Sequence, residues 1–88
     1  MNDKLKSVIR VFINQGGEAR LVDIYLGVLD DSPEIWSNYT DYQSVVRKTI
    51  YLHSSDTDIF QGEEGDYSDL FYSVDGKSKG SWGLRIYE

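Results

Sequence analysis

The sequence contains two pairs of closely spaced cationic side chains, which are candidates for binding phosphate groups and base edges. Arg47 and Lys48 are adjacent, and Lys77 and Lys79 flank one serine in a glycine-bounded turn. An arginine guanidinium donates paired hydrogen bonds to a phosphate or a base edge, whereas a lysine ammonium acts as a point charge. If the fold brings the two pairs to one surface, they can bind a polyanion by its phosphates and base edges.

The remaining charge is acidic and segregated along the sequence. Asp and Glu number 15 against 9 Lys and Arg, which gives a formal net charge of -6. The acidic residues gather between residues 30 and 34 and again from Asp56 to Asp69. Their long-range repulsion slows the approach of a polyanion, but salt screens it beyond about 8 to 10 Å. A local basic face can therefore still bind phosphate, and the carboxylates could instead face a basic protein.

A catalytic site around the single histidine is the less favoured interpretation. His53 is the conventional neutral-pH proton shuttle, and Ser54, Ser55 and Asp56 follow it directly. Catalytic triads assemble through the fold and not by adjacency, and the sequence has neither a nucleophile elbow nor an oxyanion loop. We expect His53 to end the third helix, packing on the hairpin or bonding a backbone carbonyl, and we expect no enzymatic activity.

The chain offers few ligands for a metal or a cofactor. It has no cysteine, and its acidic stretch lacks the alternating carboxylates, central glycine and terminal glutamate of a calcium-binding loop. Its glycines do not stand in the strand-to-helix passage with Lys-Ser or Lys-Thr that forms a phosphate loop. We expect no metal and no cofactor.

Apolar residues at helical spacing predict two helices in the first third of the chain. The first covers residues 3–15, with Asp3 as its cap and a glycine pair at its end. A short extended piece at residues 18–21 precedes the second helix, at residues 22–29. Residues 30–40 contain the only proline and predict a loop.

A third helix is predicted from residue 40, where Thr40 and Gln43 have the spacing of a capping box. Val46 and Ile50 fall on one face and predict its contact with the core. Arginine and glutamine on the other face suit base edges in a major groove, and serine and lysine suit phosphates. The residues of that face are Gln43, Ser44, Arg47, Lys48 and Tyr51.

Two alternating segments at the end of the chain predict a β-hairpin. The turn between them carries Lys77 and Lys79, which suit phosphate contacts but also discourage edge pairing in a soluble hairpin. The predicted core face of the hairpin consists of Leu70, Tyr72, Val74, Trp82 and Leu84.

Helices followed by a hairpin with a cationic tip are the layout of a winged helix-turn-helix domain. We therefore predict an α+β fold with three helices plus a C-terminal β-hairpin wing, as a single domain over residues 1–88. In such a domain the third helix enters the major groove of double-stranded DNA, and the wing contacts the backbone. The residues predicted to bind DNA are Gln43, Ser44, Arg47, Lys48, Tyr51, Lys77 and Lys79.

An ordered set of segments supports this fold. They are Gly-Gly-Glu-Ala-Arg-Leu-Val-Asp-Ile-Tyr at 16–25, Val-Arg-Lys-Thr-Ile at 46–50, His-Ser-Ser-Asp at 53–56 with Phe60 after it, Asp-Leu-Phe-Tyr-Ser-Val-Asp-Gly at 69–76, and Gly-Ser-Trp-Gly-Leu-Arg at 80–85. Together they resemble a winged-helix domain of bacteria that is commonly attached to restriction-type endonucleases of the HNH and related kinds.

This resemblance implies a recognition domain of a restriction or DNA-modification system. It implies that the third helix faces DNA through Arg47 and Lys48, and that residues 53–56 close that helix against the core. It implies no nuclease activity, because the sequence has neither an HNH nor a PD-(D/E)xK metal cluster.

A second hypothesis is a protein-interaction or dimerisation module. Residues 30–40 could present Ile35, Trp36 and Tyr39 as a docking or homodimer surface, which an exposed Trp36 would mark. A variant is a small acidic inhibitor that presents carboxylates in place of phosphates. The placement of the four cations decides between the hypotheses: a shared surface favours DNA, and coverage by residues 56–69 favours a protein partner.

The cellular location is predicted from three features that the sequence lacks. No apolar run approaches the roughly 20 residues that span a bilayer, and the first residues lack the apolar region of a signal peptide. The absence of cysteine fits a reducing environment. We expect a cytoplasmic protein with no membrane partner.

Overall fold

Four α-helices and a three-stranded antiparallel sheet make up the fold in a computed structural model that describes residues 2–74 and 80–87. The α+β class predicted from the sequence is confirmed. The helices are α1 (Asp3–Asn14), α2 (Leu21–Asp31), α3 (Pro33–Trp36) and α4 (Tyr42–Tyr51). The strands are β1 (Glu18–Arg20), β2 (Phe71–Ser73) and β3 (Ser81–Leu84), and a 3-10 turn follows at Arg85–Tyr87.

Local hydrogen bonds determine where α1 begins and ends. Asn2 caps the start, because its Oδ1 accepts a hydrogen bond from the Leu5 amide at 2.7 Å. The prediction of Asp3 as the cap is wrong, since Asp3 is the first residue of the helix. At the other end Gly17 has a left-handed φ of 96°, and its amide donates to the Phe12 carbonyl at 2.8 Å. The predicted end at the glycine pair is confirmed.

β3 is the central strand of the sheet, between β1 and β2. Glu18 of β1 lies opposite Gly83, and Phe71 of β2 lies opposite Leu84. The Leu84 amide also donates to the Gly17 carbonyl at 2.8 Å. The last strand therefore ties the turn after α1 to the strand that follows α4.

Helices and sheet share one core built on aromatic rings. The Phe71 ring lies 5.2 Å from that of Phe12 in α1, and the Trp82 ring lies 5.3 Å from that of Tyr51 in α4. These two contacts fix α1 and α4 on the sheet. The other buried apolar residues are Leu5, Val8, Val11, Ile24, Val28, Trp36, Val46, Ile50 and Leu84.

The core face of β2 is shifted by one residue from the prediction. Phe71 is fully buried, whereas Leu70, Tyr72 and Val74 are only partly buried. The register explains this, because Phe71 lies opposite Leu84 and Tyr72 points to the other face of the sheet. Apolar residues occupy both faces of this segment, so alternation alone could not choose the buried one.

The segment predicted as a loop contains α3. Pro33 starts this helix, at a position that suits the fixed φ and missing amide hydrogen of proline. Trp36 ends it and is fully buried, with its indole Nε1 donating to Ser7 Oγ at 2.9 Å. Trp36 therefore does not form the exposed docking surface considered above, because its side chain belongs to the core.

Removal of the hydrogen bond between Trp36 and Ser7 tests the packing of this core. Ser7→Ala leaves the buried indole N–H without its partner, so we expect the free energy of unfolding to fall by about 1 to 3 kcal/mol. Ser37→Ala, at an exposed position, is the matched control and should change it by less than about 0.5 kcal/mol. Urea denaturation measures both, and equal stabilities of Ser7→Ala and the parent would contradict the assigned contact.

Candidate nucleic-acid interface

α4 is capped by Asp41, one residue later than predicted. The Asp41 carboxylate accepts hydrogen bonds from the Ser44 hydroxyl at 2.6 Å and from the Ser44 amide at 3.2 Å. These bonds lower the pKa of Asp41. The predicted capping box of Thr40 and Gln43 is therefore wrong by one residue, because a charged acceptor suits the positive end of the helix better.

The inner face of α4 packs against α1 and α2. Val46 and Ile50 are fully buried, as their helical spacing predicted, and Thr49 is nearly so. The ring of Tyr51 contacts that of Trp82 and is partly buried. Tyr51, predicted to bind DNA, therefore also fixes the end of α4 on β3.

Arg47 is held in place by two hydrogen bonds. Its Nη1 donates to Tyr25 Oη at 3.0 Å, and its Nη2 donates to Ser44 Oγ at 2.8 Å. The guanidinium also lies over the Tyr25 ring, with Cζ 6.0 Å from the ring centroid. The bond to Tyr25 raises the pKa of Arg47, so this side chain stays charged. Because a guanidinium carries five N–H donors, it can hold these contacts and still bind a ligand.

Lys48 lies at an open cleft between the start of α1 and α4. Lys4 lines the same cleft, and its Nζ donates to Tyr39 Oη at 3.3 Å. Among the described residues that line the cleft there is no carboxylate. Two cations from different helices therefore line one cleft on this side of α4.

The structure places most of the predicted DNA-binding residues on the outer face of α4. Tyr51 is shared with the core, and Lys77 and Lys79 lie outside the described residues. The residues of the outer face are Gln43, Ser44, Arg47 and Lys48, of which Gln43 and Lys48 are exposed.

Two tyrosines support this surface without having been predicted to do so. Tyr25 lies in the predicted second helix, at residues 22–29, and Tyr39 lies in the segment predicted as a loop, at residues 30–40. Both bond a cation through the hydroxyl while the ring packs beside it. A tyrosine at the edge of an apolar stripe indicates such a role, because its ring packs against apolar side chains while its hydroxyl forms hydrogen bonds.

The acidic segment after α4 forms hydrogen bonds within itself and ion pairs with Arg85, which follows β3. Asp56 accepts from the Ser73 amide at 2.8 Å and pairs with Arg85 at 3.4 Å. Asp66 accepts from the Glu63 amide at 2.8 Å and from Ser68. These carboxylates therefore organise the segment, and part of its negative charge is balanced within the domain.

Asp69 is the most buried of these carboxylates, with a side chain only 1% exposed. Its Oδ1 accepts from Arg85 Nε at 2.9 Å and from the Ser55 amide at 2.8 Å, and its Oδ2 accepts from the Gly65 amide at 2.9 Å. Burial by itself raises the pKa of Asp69, but the hydrogen bonds from Gly65, Ser55 and Arg85 outweigh it and lower the pKa to about 2. The ion pair between Asp69 and Arg85 connects the acidic segment to the residue that follows β3.

His53 has the structural role that the sequence predicted. Its Nδ1 lies 2.7 Å from the Thr49 carbonyl oxygen, which can only accept, so Nδ1 carries the proton. The His53 carbonyl accepts from the Leu70 and Phe71 amides at 2.8 and 3.0 Å. His53 thus connects the end of α4 to the start of β2. Within residues 2–74 and 80–87, no group of three or more His, Asp or Glu side chains is arranged to hold a metal ion.

Comparison with protein-family models, with curated proteins and with solved structures found no match to this chain. No helix in the described part of the chain is both long and apolar enough to cross a membrane. The winged-helix resemblance thus stays a prediction from the sequence.

The lowered pKa of Asp69 predicts acid sensitivity. Because the folded-state pKa of about 2 lies below the ordinary value of 3.8, the ionised form stabilises the fold above about pH 4. That contribution, about 2 kcal/mol, is lost as the pH falls toward 2. Asp69→Asn should therefore be less stable than the parent at pH 7 by about this amount, and the difference should shrink between pH 4 and 2.

Glu64→Gln is the control for this experiment, since it removes the same charge at an exposed position. Its stability should stay within about 0.5 kcal/mol of the parent across the range. Denaturant unfolding at several pH values measures all three proteins. A stability difference between Asp69→Asn and the parent that is constant with pH would contradict the assignment.

Proposed function

We propose that this chain is a non-catalytic winged-helix module that binds double-stranded DNA through α4. The order of the elements supports it: α1, α2 and α4 pack together and are followed by β2 and β3, with β1 added to the sheet. The short helix α3 is then an addition within the connection to α4. The segments that resemble winged-helix domains of restriction-type endonucleases agree with this order and suggest the recognition domain of a restriction or DNA-modification system.

The outer face of α4 is the observation that carries the proposal. A helix of 10 residues is about 15 Å long, and a major groove about 12 Å wide admits one. The anchored guanidinium of Arg47 can donate to a guanine edge, and exposed Gln43 to an adenine edge. Lys48, with Lys4 beside it, suits the flanking phosphates.

Three arginines outside α4 are already paired with carboxylates. They are Arg10, Arg20 and Arg85, and the Arg10 pair with Asp31 joins α1 to α2 at 2.8 Å. That arginine holds the pKa of Asp31 well below its usual range. Each of these pairs uses one cation as well as one carboxylate, so the net charge stays at -6. DNA binding by α4 then relies on its local cations and on the screening of the remaining charge by salt.

The alternative is a protein-interaction module, and one observation favours it. Val22 and Leu26 stand four residues apart on α2 and are 51% and 62% exposed, so they form a small apolar strip. With the net charge of -6, this strip suits a docking or dimer contact, or an acidic protein that mimics DNA. Detection of a dimer by sedimentation, together with no DNA binding, would favour this function.

Salt dependence tests DNA binding directly. With about four phosphate contacts, the slope of log K against log salt should be roughly -3 to -4 for a random-sequence duplex. Fluorescence anisotropy from low to moderate salt measures it. An absence of binding at low salt, or a slope near zero, would remove the DNA-binding proposal.

A matched pair of variants tests the role of α4. Lys48→Ala should weaken duplex binding and reduce the salt slope by about 1, because it removes one phosphate contact. Lys6→Ala removes the same charge from the solvent side of α1, two residues away from Lys4, and should bind like the parent. Equal binding by the two variants would show that α4 is not the contact surface.

A further inference from the structure

Two neighbouring open clefts lie near the start of α1 and the residues that follow α4. The first, of about 370 Å³, lies between α1 and α4, and the second, of about 390 Å³, lies between the start of α1 and the segment before β2. Asn2 and His53 line both, so the clefts are neighbours. Each volume falls in the lower part of the roughly 300 to 1,000 Å³ range of small-molecule sites.

The first cleft is cationic. Lys4 and Lys48 reach it from different helices, and no carboxylate is among its lining residues in the described chain. Lys4 is held beside Tyr39 by its hydrogen bond, with Nζ 5.5 Å from the ring centroid. In a protein of net charge -6, such a place suits a small anion with several acceptor oxygens, such as a phosphate group.

The second cleft is largely apolar and has an aromatic ring at its border. Leu5 and Leu70 line it with Ser68, and Tyr67 is 94% exposed beside them. A nearly bare tyrosine offers a flat face on which a nucleobase can stack. His53 separates the two clefts, with its Nδ1 already bonded to the Thr49 carbonyl.

We propose that the two clefts form one nucleotide site, with the phosphate between Lys4 and Lys48 and the base between Leu70 and Tyr67. The ligand is a 5′-nucleotide, either free or at an unpaired end of a strand. This site goes beyond duplex binding by α4, with which it shares Lys48. The charge of one cleft and the apolar, aromatic lining of the other match the two halves of a nucleotide.

Amide chemical-shift mapping with three small probes tests the site. AMP should perturb residues of both clefts, ribose 5-phosphate only those around Lys4 and Lys48, and adenosine only those around Tyr67 and Leu70. A short oligothymidine that binds tighter than TMP would assign the site to a strand end, and equal affinities would assign it to a free nucleotide. Absent or scattered shifts with AMP at millimolar concentration would overturn the proposal.

Two variants and one control complete the experiment. Lys4→Ala should weaken AMP binding about threefold to tenfold by removing a charged hydrogen-bond donor. Tyr67→Ala should weaken it about fivefold or more without changing the binding of ribose 5-phosphate. Lys6→Ala should bind AMP like the parent. AMP affinities of Lys4→Ala and Tyr67→Ala equal to that of the parent would overturn the site. Intact duplex binding by Tyr67→Ala, whose side chain lies outside the surface proposed to bind DNA, would show that the function proposed for α4 is unaffected.

Discussion

The pairing of β3 with both β1 and β2 is the constraint on which the rest of the structure depends. β3 is last in the sequence but central in the sheet, and it joins the turn after α1 to the strand after α4. Its Trp82 is fully buried against the Tyr51 ring. β3 thus holds the last residue of α4 through this ring contact, while the rest of α4 packs on α1 and α2. Arg85, directly after β3, adds a second tie by bonding Asp69.

Local patterns predicted the helices, and the predictions failed at the caps and where burial depends on long-range packing. The apolar stripes of α1 and α4 and the glycine pair after α1 are local signals, and the structure bears them out. The caps moved by one residue at Asn2 and Asp41, because neighbouring polar side chains compete for the same backbone amides. The burial of Phe71 and the formation of α3 around Trp36 depend on partners far along the sequence, Leu84 and Ser7.

Some residues of the candidate site could likewise be predicted from the sequence, and others could not. Helical periodicity was enough to group Gln43, Ser44, Arg47 and Lys48, since all four belong to one helix. It could not supply Tyr25, which holds Arg47 from α2, or bring Lys4 to the cleft beside Lys48. The composition of the acidic segment indicates a solvated surface, but its Asp69 is buried in an ion pair with Arg85. Each of these contacts joins elements that are distant in sequence, so only the fold reveals them.

The central claim is that α4 is the surface that contacts DNA, and a duplex titration followed by amide chemical shifts tests it most directly. At low salt, a random-sequence duplex should cause its largest shifts along α4, at Gln43, Ser44, Arg47 and Lys48, with smaller shifts at Lys4. Raising the salt should reverse them together. Shifts concentrated at Val22 and Leu26 on α2, or no shifts at all, would contradict the account.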